Sequence, residues 1–197
     1  ITYLDGFGRT IQERARAEDS NNVPLYTTVD MVYDESGRVE KASVPYLSIG
    51  PARTGLQKKQ SYFTTYGYDE VGRLVSLANS IGTTTTSYDD WTETVFDQAG
   101  NKKEFGRDAL GNLVTVKEFL SPGGSPFITA YTYDPLGNLT NSTDALGNIR
   151  NFTYDKIGRR LTAEDLHVSG DAFFGAYTFA YDPAGNLVQK QTPNGGT

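Results

Sequence analysis

The most constraining feature of this 197-residue sequence is a short signature, Asp-x-x-Gly followed by Arg or Asn, which occurs nine times. Repeats have to be identified first, because a repeat decides the architecture of a whole chain. The copies are either close together, as with Asp134 and Asp144, or farther apart, as with Asp5 and Asp34. The nine Asp and Gly positions are Asp5 and Gly8, Asp34 and Gly37, Asp69 and Gly72, Asp97 and Gly100, Asp108 and Gly111, Asp134 and Gly137, Asp144 and Gly147, Asp155 and Gly158, and Asp182 and Gly185.

Turn chemistry explains this signature. Asp is favoured at the first position of a type I turn, where its carboxylate accepts a backbone N–H two residues later, and Pro is favoured at the second. Pro135 and Pro183 occupy that second position. Gly at the fourth position adopts the positive φ that lets such a turn join two antiparallel strands. Each copy is therefore predicted to be a hairpin corner, in which the Asp and Gly are structural turn residues.

The residues around the corners alternate between two faces, as in strands. A bulky aromatic residue precedes the Asp in six copies, and smaller residues such as Val32 and Thr132 lie on the opposite face. This pattern predicts an all-β fold, an antiparallel meander of hairpins. Only Thr10–Asp19 is also compatible with a helix, and a charged strand is the alternative there. The six aromatic residues are Tyr33, Tyr68, Phe96, Tyr133, Tyr154 and Tyr181.

Composition excludes several functions. A net charge of −6 does not provide the positive field needed to bind nucleic acid. No apolar stretch reaches the roughly 20 residues of a membrane-spanning helix. The chain has no Cys and a single His, His167, which excludes disulfides and multi-histidine metal sites. We therefore expect no cofactor, no metal, no nucleic-acid partner and no membrane span.

Two aromatic rows leave a binding alternative open. Tyr66 and Tyr68 share one strand face, and Tyr177 and Phe179 share another. Such rings could stack on sugars, which would make the chain a carbohydrate-binding adhesion module at a cell surface. The structural interpretation, which we favour, is that these rings pack between neighbouring strands, where cross-strand aromatic pairs contribute about 0.2–1 kcal/mol each.

The segments Tyr133–Leu139 and Thr153–Arg159 resemble the YD repeat of RHS proteins, of the B and C components of bacterial Tc toxins, of wall-associated toxins and of teneurins. The resemblance covers nearly the whole chain, although Leu4, Arg107 and Thr143 replace the Tyr before Asp. It implies a curved, spiralling sheet that closes into a hollow β-shell around a C-terminal toxin domain.

On this interpretation residues 1–197 are a single repeat array within a longer protein, secreted or displayed on the surface of a bacterium. Its partners would be the remaining repeats, the C-terminal toxin domain of the same protein and other toxin-complex components. A miniature barrel that works alone is a weaker alternative.

We expect no catalysis. Some members of the family cleave themselves at a core segment that includes Asp-Pro-x-Gly, a string found at Asp134 and Asp182. The upstream Pro of that segment is absent here, and Pro is simply favoured in the turn. The pair Asp89 and Asp90 lacks the context of a glycosidase site. No Ser lies in a nucleophile elbow, so His167 is interpreted as a solvated loop residue.

Overall fold

The computed structural model describes residues 1–17, 23–56, 63–121, 123–171 and 173–193, and within these ranges it contains 18 strands and no helix. All of the strand pairings described below are antiparallel, so the predicted antiparallel all-β fold is confirmed. The strands are β1 (Thr2–Leu4), β2 (Thr10–Arg16), β3 (Leu25–Tyr33), β4 (Val39–Ser43), β5 (Tyr46–Ile49), β6 (Phe63–Tyr68), β7 (Leu74–Ala78), β8 (Thr83–Asp89), β9 (Thr92–Phe96), β10 (Lys102–Arg107), β11 (Leu113–Phe119), β12 (Phe127–Tyr133), β13 (Leu139–Thr143), β14 (Asn148–Tyr154), β15 (Arg160–Glu164), β16 (His167–Val168), β17 (Ala176–Tyr181) and β18 (Leu187–Gln191).

The chain divides into two compact units, which are described separately. Unit 1 comprises Ile1–Ser87 and Val95–Gly100, and unit 2 comprises Tyr88–Thr94 and Asn101–Thr197. In unit 1, β1 pairs with β2, β2 with β3, β4 with β6, β6 with β7, and β7 with β8. In unit 2, each strand from β10 to β14 pairs with the next, β15 pairs with β17, and β17 with β18. Each unit is thus a meander.

In unit 1 the strand that returns from the corner after β3 is broken into β4 and β5. Ala42 lies opposite Met31, and Tyr46 lies opposite Thr28. The returning strand therefore advances four residues while β3 advances three, so it contains one extra residue. Pro45 lies at the break, and it has no N–H to donate to the ladder. The extra residue creates a bulge between β4 and β5.

Unit 2 repeats this break at the corresponding place. Ala163 of β15 lies opposite Phe152 of β14, and His167 of β16 lies opposite Ile149. Four steps again match three, although the break here contains Asp165 rather than a proline. The two units therefore share a corner followed by a broken strand.

The Thr10–Asp19 ambiguity is resolved in favour of the strand, β2, while residues 18 and 19 lie outside the described ranges. The helix alternative was wrong because β2 pairs on both sides, with β1 and with β3. The inward face of β2 carries Gln12 and Arg14, each 1% exposed, whereas Ala15 is exposed. Polar residues thus occupy the buried face, which a local hydrophobic pattern does not indicate.

Candidate functional site

All nine signature copies lie at hairpin corners of the same geometry. The Gly N–H donates to the Asp carbonyl in every copy, at 2.9–3.1 Å. The nine Gly residues have φ between +79° and +91°, a conformation that an L side chain rarely adopts. We therefore expect a Cβ at any of these glycines to destabilise its corner.

The Asp side chain also stabilises the corner, because its carboxylate accepts hydrogen bonds from the residues that follow it. Oδ1 of Asp155 accepts the backbone N–H groups of Ile157 at 3.0 Å and Arg159 at 2.9 Å, and Oδ2 accepts Nε–H of Arg159 at 2.6 Å. In the Asn copies, Nδ2 of Asn112 donates to Oδ2 of Asp108 at 2.9 Å. Either Arg or Asn can occupy the fifth position, because both side chains place an N–H at the same carboxylate oxygen.

These hydrogen bonds favour the ionised form of the carboxylate. The side-chain amide of Asn138, followed by its backbone N–H, lowers the pKa of Asp134 below its ordinary value. The backbone N–H of Arg38 has the largest effect at Asp34, whose pKa is also lowered. The corner residues with a lowered pKa are Asp5, Asp34, Asp69, Asp108, Asp134, Asp144, Asp155 and Asp182.

Neighbouring corners are linked through an Arg and a Tyr. The guanidinium of Arg38 lies 4.7 Å from the centroid of the Tyr68 ring, and its Nη1 donates to the carbonyl of Asp69 at 3.4 Å. The Tyr68 hydroxyl donates back to the carbonyl of Val39 at 2.9 Å. Each such contact ties the Tyr of one corner to the strand that leaves the preceding corner.

This Arg–Tyr link recurs in both units. Arg9 lies over Tyr33 at 4.5 Å in unit 1, and Arg159 lies over Tyr181 at 4.8 Å in unit 2. The corner before Tyr133 ends in Asn112 instead of an Arg, so no guanidinium among the described residues covers this ring. The Tyr133 hydroxyl still donates to the carbonyl of Leu113, at 2.9 Å. Four of the Tyr residues before Asp therefore have a defined role, which the sequence interpretation as cross-strand aromatic packing missed; they are Tyr33, Tyr68, Tyr133 and Tyr181.

Replacing Tyr68 by Phe is expected to lower the free energy of unfolding by about 1 kcal/mol, because the carbonyl of Val39 loses its donor. Tyr66→Phe is the matched control: Tyr66 shares the strand and face of Tyr68, and no hydroxyl bond is found for it within the described residues. Urea denaturation of the two variants measures the difference. Equal losses in both would contradict the link.

The candidate glycan-contact residues are half-buried. Tyr66 and Tyr68 lie on β6, and Tyr177 and Phe179 lie on β17. Tyr68 is covered by a guanidinium, and the ammonium of Lys190 lies 5.2 Å from the centroid of the Tyr177 ring. In Tyr68 and Tyr177 these contacts occupy a ring face that a sugar would need, so the glycan alternative is not favoured.

Unit 1 has a polar cluster at the broken strand, made of the buried Gln12 and Asp30 and the half-buried Tyr46 and Thr54. Nε2 of Gln12 donates to Oδ1 of Asp30 at 2.6 Å, and the Tyr46 hydroxyl donates to Oδ2 at 2.9 Å. Burial of the hydroxyl, together with the carboxylate of Asp30, raises the pKa of Tyr46. Oε1 of Gln12 accepts the N–H of Thr54 at 3.0 Å, which fixes the segment after β5 onto the sheet face.

Unit 2 has a polar cluster at the same place, made of Asn141, Asn151, Glu164 and His167. Nδ2 of Asn141 donates to Oδ1 of Asn151 at 2.7 Å, and these residues lie opposite each other as Gln12 and Asp30 do. Oε2 of Glu164 accepts the backbone N–H of Asn151 at 3.0 Å. Different side chains therefore fill one structural position in both units.

Arg14 lies on the buried face of unit 1, next to the polar cluster that contains Gln12 and Asp30. It donates to the hydroxyl of Ser48 and to the carbonyl of Ile49, and its guanidinium lies 5.1 Å from the centroid of the Tyr26 ring. Its Nε and Nη1 atoms are buried without a hydrogen-bond partner. Burying these two donors without a partner costs stability.

The interpretation of His167 as a solvated loop residue was wrong. His167 lies in β16 at 9% exposure, its ring stacks on Phe174 at 3.9 Å between centroids, and its Nδ1 lies 2.8 Å from the carbonyl of Asp165. The burial of His167 could not be seen in the sequence, because a two-residue strand is too short to show an alternating pattern.

Trp91 is mostly exposed, and its carbonyl accepts the N–H of Arg107 at 2.9 Å.

The described part of the chain contains no grouping of three or more His, Cys, Asp or Glu side chains placed to hold a metal ion. It also contains no helix long and apolar enough to cross a membrane.

The Asp134-Pro135 corner has the hydrogen bonds of the other corners, with Oδ1 of Asp134 accepting the N–H of Leu136 at 2.9 Å. The corner Asp residues are thus used in separate turns along the chain rather than in one pocket.

Comparison with known proteins agrees with this geometry. A family model described as RHS Repeat matches residues 107–149 and 133–166. The chain is 31% identical, over 80% of its length, to the double-stranded DNA deaminase toxin A of Burkholderia cenocepacia. It is 32% identical, over 67% of its length, to a protein of Dickeya dadantii named probable deoxyribonuclease RhsB. The chain spans about a tenth of the length of either relative.

A solved structure shows the same fold. The Tc holotoxin pore of Photorhabdus luminescens matches with a TM-score of 0.62 at 18% identity. The match covers 100% of this chain and 12% of that one. At this identity the likeness concerns the fold alone.

Proposed function

Because the chain belongs to the RHS/YD-repeat proteins, we propose that residues 1–197 are a single array forming part of the wall of a β-shell around a C-terminal toxin domain of the same protein. The wall segment has no catalytic role of its own. The protein that carries it is secreted by a bacterium or displayed on its surface. Its partners are the other repeats, the enclosed domain and further components of a toxin complex.

One observation carries this proposal: corner residues link neighbouring hairpins sideways instead of converging on a site. Arg159 contacts its own corner through Asp155 and the next corner through the carbonyl of Asp182 at 3.4 Å. Each hairpin is therefore stabilised by its neighbours, as in other repeat proteins. This is the property that a continuous wall requires. The relatives, whose names refer to a deaminase and a deoxyribonuclease, match this chain over only a small part of their length.

Limited proteolysis of the full-length protein that contains this chain tests the proposal. In the unmodified protein the C-terminal domain should resist trypsin, because the wall excludes the protease. Gly158→Val and Gly37→Val together should open the wall and make that domain cleavable, since both residues have φ near +82°. Ser36→Val is the control, because it adds a similar side chain at an ordinary turn position. A C-terminal domain that trypsin removes equally fast from all three proteins would refute the shell.

A further inference from the structure

Three basic side chains of unit 2 have no acidic partner. They are Arg150 of β14, Arg160 of β15 and Lys190 of β18, and within the described residues none of their side chains makes an ion pair or a hydrogen bond. Lysines elsewhere in the unit are paired, as Lys103 is with Glu118 at 2.6 Å. Because the chain has a net charge of −6, three neighbouring cations without a carboxylate are unexpected.

The strand register places these cations around one aromatic row. Phe152 of β14 and Tyr177 of β17 both lie opposite Ala163 of β15, so the two rings are two strands, or about 10 Å, apart on the same face of the sheet. Arg150 precedes Phe152 by two residues in β14 and therefore shares this face. We call Arg150, Arg160 and Lys190, together with the two rings, the basic face of unit 2.

The rings hold two of the cations in place on this face. The guanidinium of Arg160 lies 5.1 Å from the centroid of the Phe152 ring, and the ammonium of Lys190 lies 5.2 Å from that of Tyr177. A cation held over a ring keeps its N–H groups for an anion. The third cation, Arg150, has a buried Nε without a hydrogen-bond partner. The basic face thus presents hydrogen-bond donors and positive charge that the described residues do not satisfy.

We infer that the basic face of unit 2 binds an extended acidic segment of a partner polypeptide. Charge complementarity supports this occupant, since a guanidinium binds a carboxylate through two parallel N–H groups. An extended chain advances about 3.3 Å per residue, so a run of about four acidic residues spans the distance between the two rings.

Single-stranded nucleic acid fits this face less well. Such ligands are bound by stacking their bases on free aromatic rings. Here Arg160 covers a face of Phe152, and Lys190 covers a face of Tyr177. The inference concerns one face of the isolated chain, so it can fail while the wall proposal stands.

Fluorescence anisotropy of fluorescein-labelled hexaglutamate, titrated with the 197-residue chain, tests the inference. The unmodified chain should bind the peptide saturably, and the triple variant Arg150→Gln, Arg160→Gln, Lys190→Gln should bind it at least about tenfold more weakly. Lys190→Gln alone changes an exposed residue, so the fold should be kept, and binding should weaken about threefold. Circular dichroism checks that each variant is folded.

The matched control removes the same charge from unit 2 outside the basic face, with Lys103→Gln, Lys117→Gln and Lys156→Gln. It should bind hexaglutamate as the unmodified chain does. An unmodified chain that does not bind the peptide, or a control that loses as much affinity as the first triple variant, would overturn the inference. Tighter binding of labelled single-stranded hexathymidylate than of hexaglutamate would also overturn it, because the face would then prefer nucleic acid.

Discussion

Asp30→Ala is expected to reduce the free energy of unfolding by about 3–5 kcal/mol, because two hydrogen bonds to a buried carboxylate are lost and each contributes about 1.5–3 kcal/mol. Asp30 is fully buried in the polar cluster of unit 1. Its two carboxylate oxygens accept hydrogen bonds from Gln12 and Tyr46, so an alanine removes both bonds and leaves Thr54 as the partner of the two donors. Asp30→Asn keeps one acceptor and should cost less.

Urea denaturation followed by circular dichroism measures this loss. Asp89→Ala is the matched control, because Asp89 also lies in a strand but is exposed, and it should change stability by no more than about 0.5 kcal/mol. If Asp30→Ala were as stable as Asp89→Ala, the polar cluster would not hold the broken strand in place.

Acidification is expected to destabilise the chain, because eight corner carboxyls have a pKa lowered by the hydrogen bonds of the folded state. A group whose pKa is lower when folded stabilises the protein above its unfolded pKa. That contribution is lost as the pH falls through the folded pKa. The urea midpoint should therefore fall mainly below about pH 4, the ordinary range of an Asp carboxyl.

The double variant Asp134→Asn, Asp155→Asn should show a smaller difference between its urea midpoints at pH 7 and pH 3, because two of the titrating groups are gone. Val71→Ser, an exposed corner substitution that removes no carboxyl group, is the control and should leave that difference unchanged. A urea midpoint that is independent of pH would show that the corner carboxylates contribute nothing.

The hairpin corners could be predicted from the sequence because their chemistry is local. Asp155 and Gly158 lie within one turn, and their residue types specify its hydrogen bonds and its positive φ. The alternation around Tyr154 likewise predicted a strand, which the structure contains.

The polar clusters could not be predicted, because their contacts join residues far apart in the chain. Gln12 and Asp30 are 18 residues apart, and Gln12 and Thr54 are 42 apart. Their burial also reverses the usual rule that polar residues are exposed, so the pattern of β2 left a helix as an alternative. The role of Tyr68 depends in the same way on Val39 and Arg38 of the preceding corner.

The most direct test of the account is a cryo-electron microscopy structure of the full-length protein that contains this chain. We expect these residues to form consecutive antiparallel hairpins in the wall of a closed cavity, with the corners in rows along the edges of the sheet and the C-terminal domain inside. A map in which the corner Asp residues surround a common pocket, or in which the C-terminal domain lies outside the repeats, would contradict it.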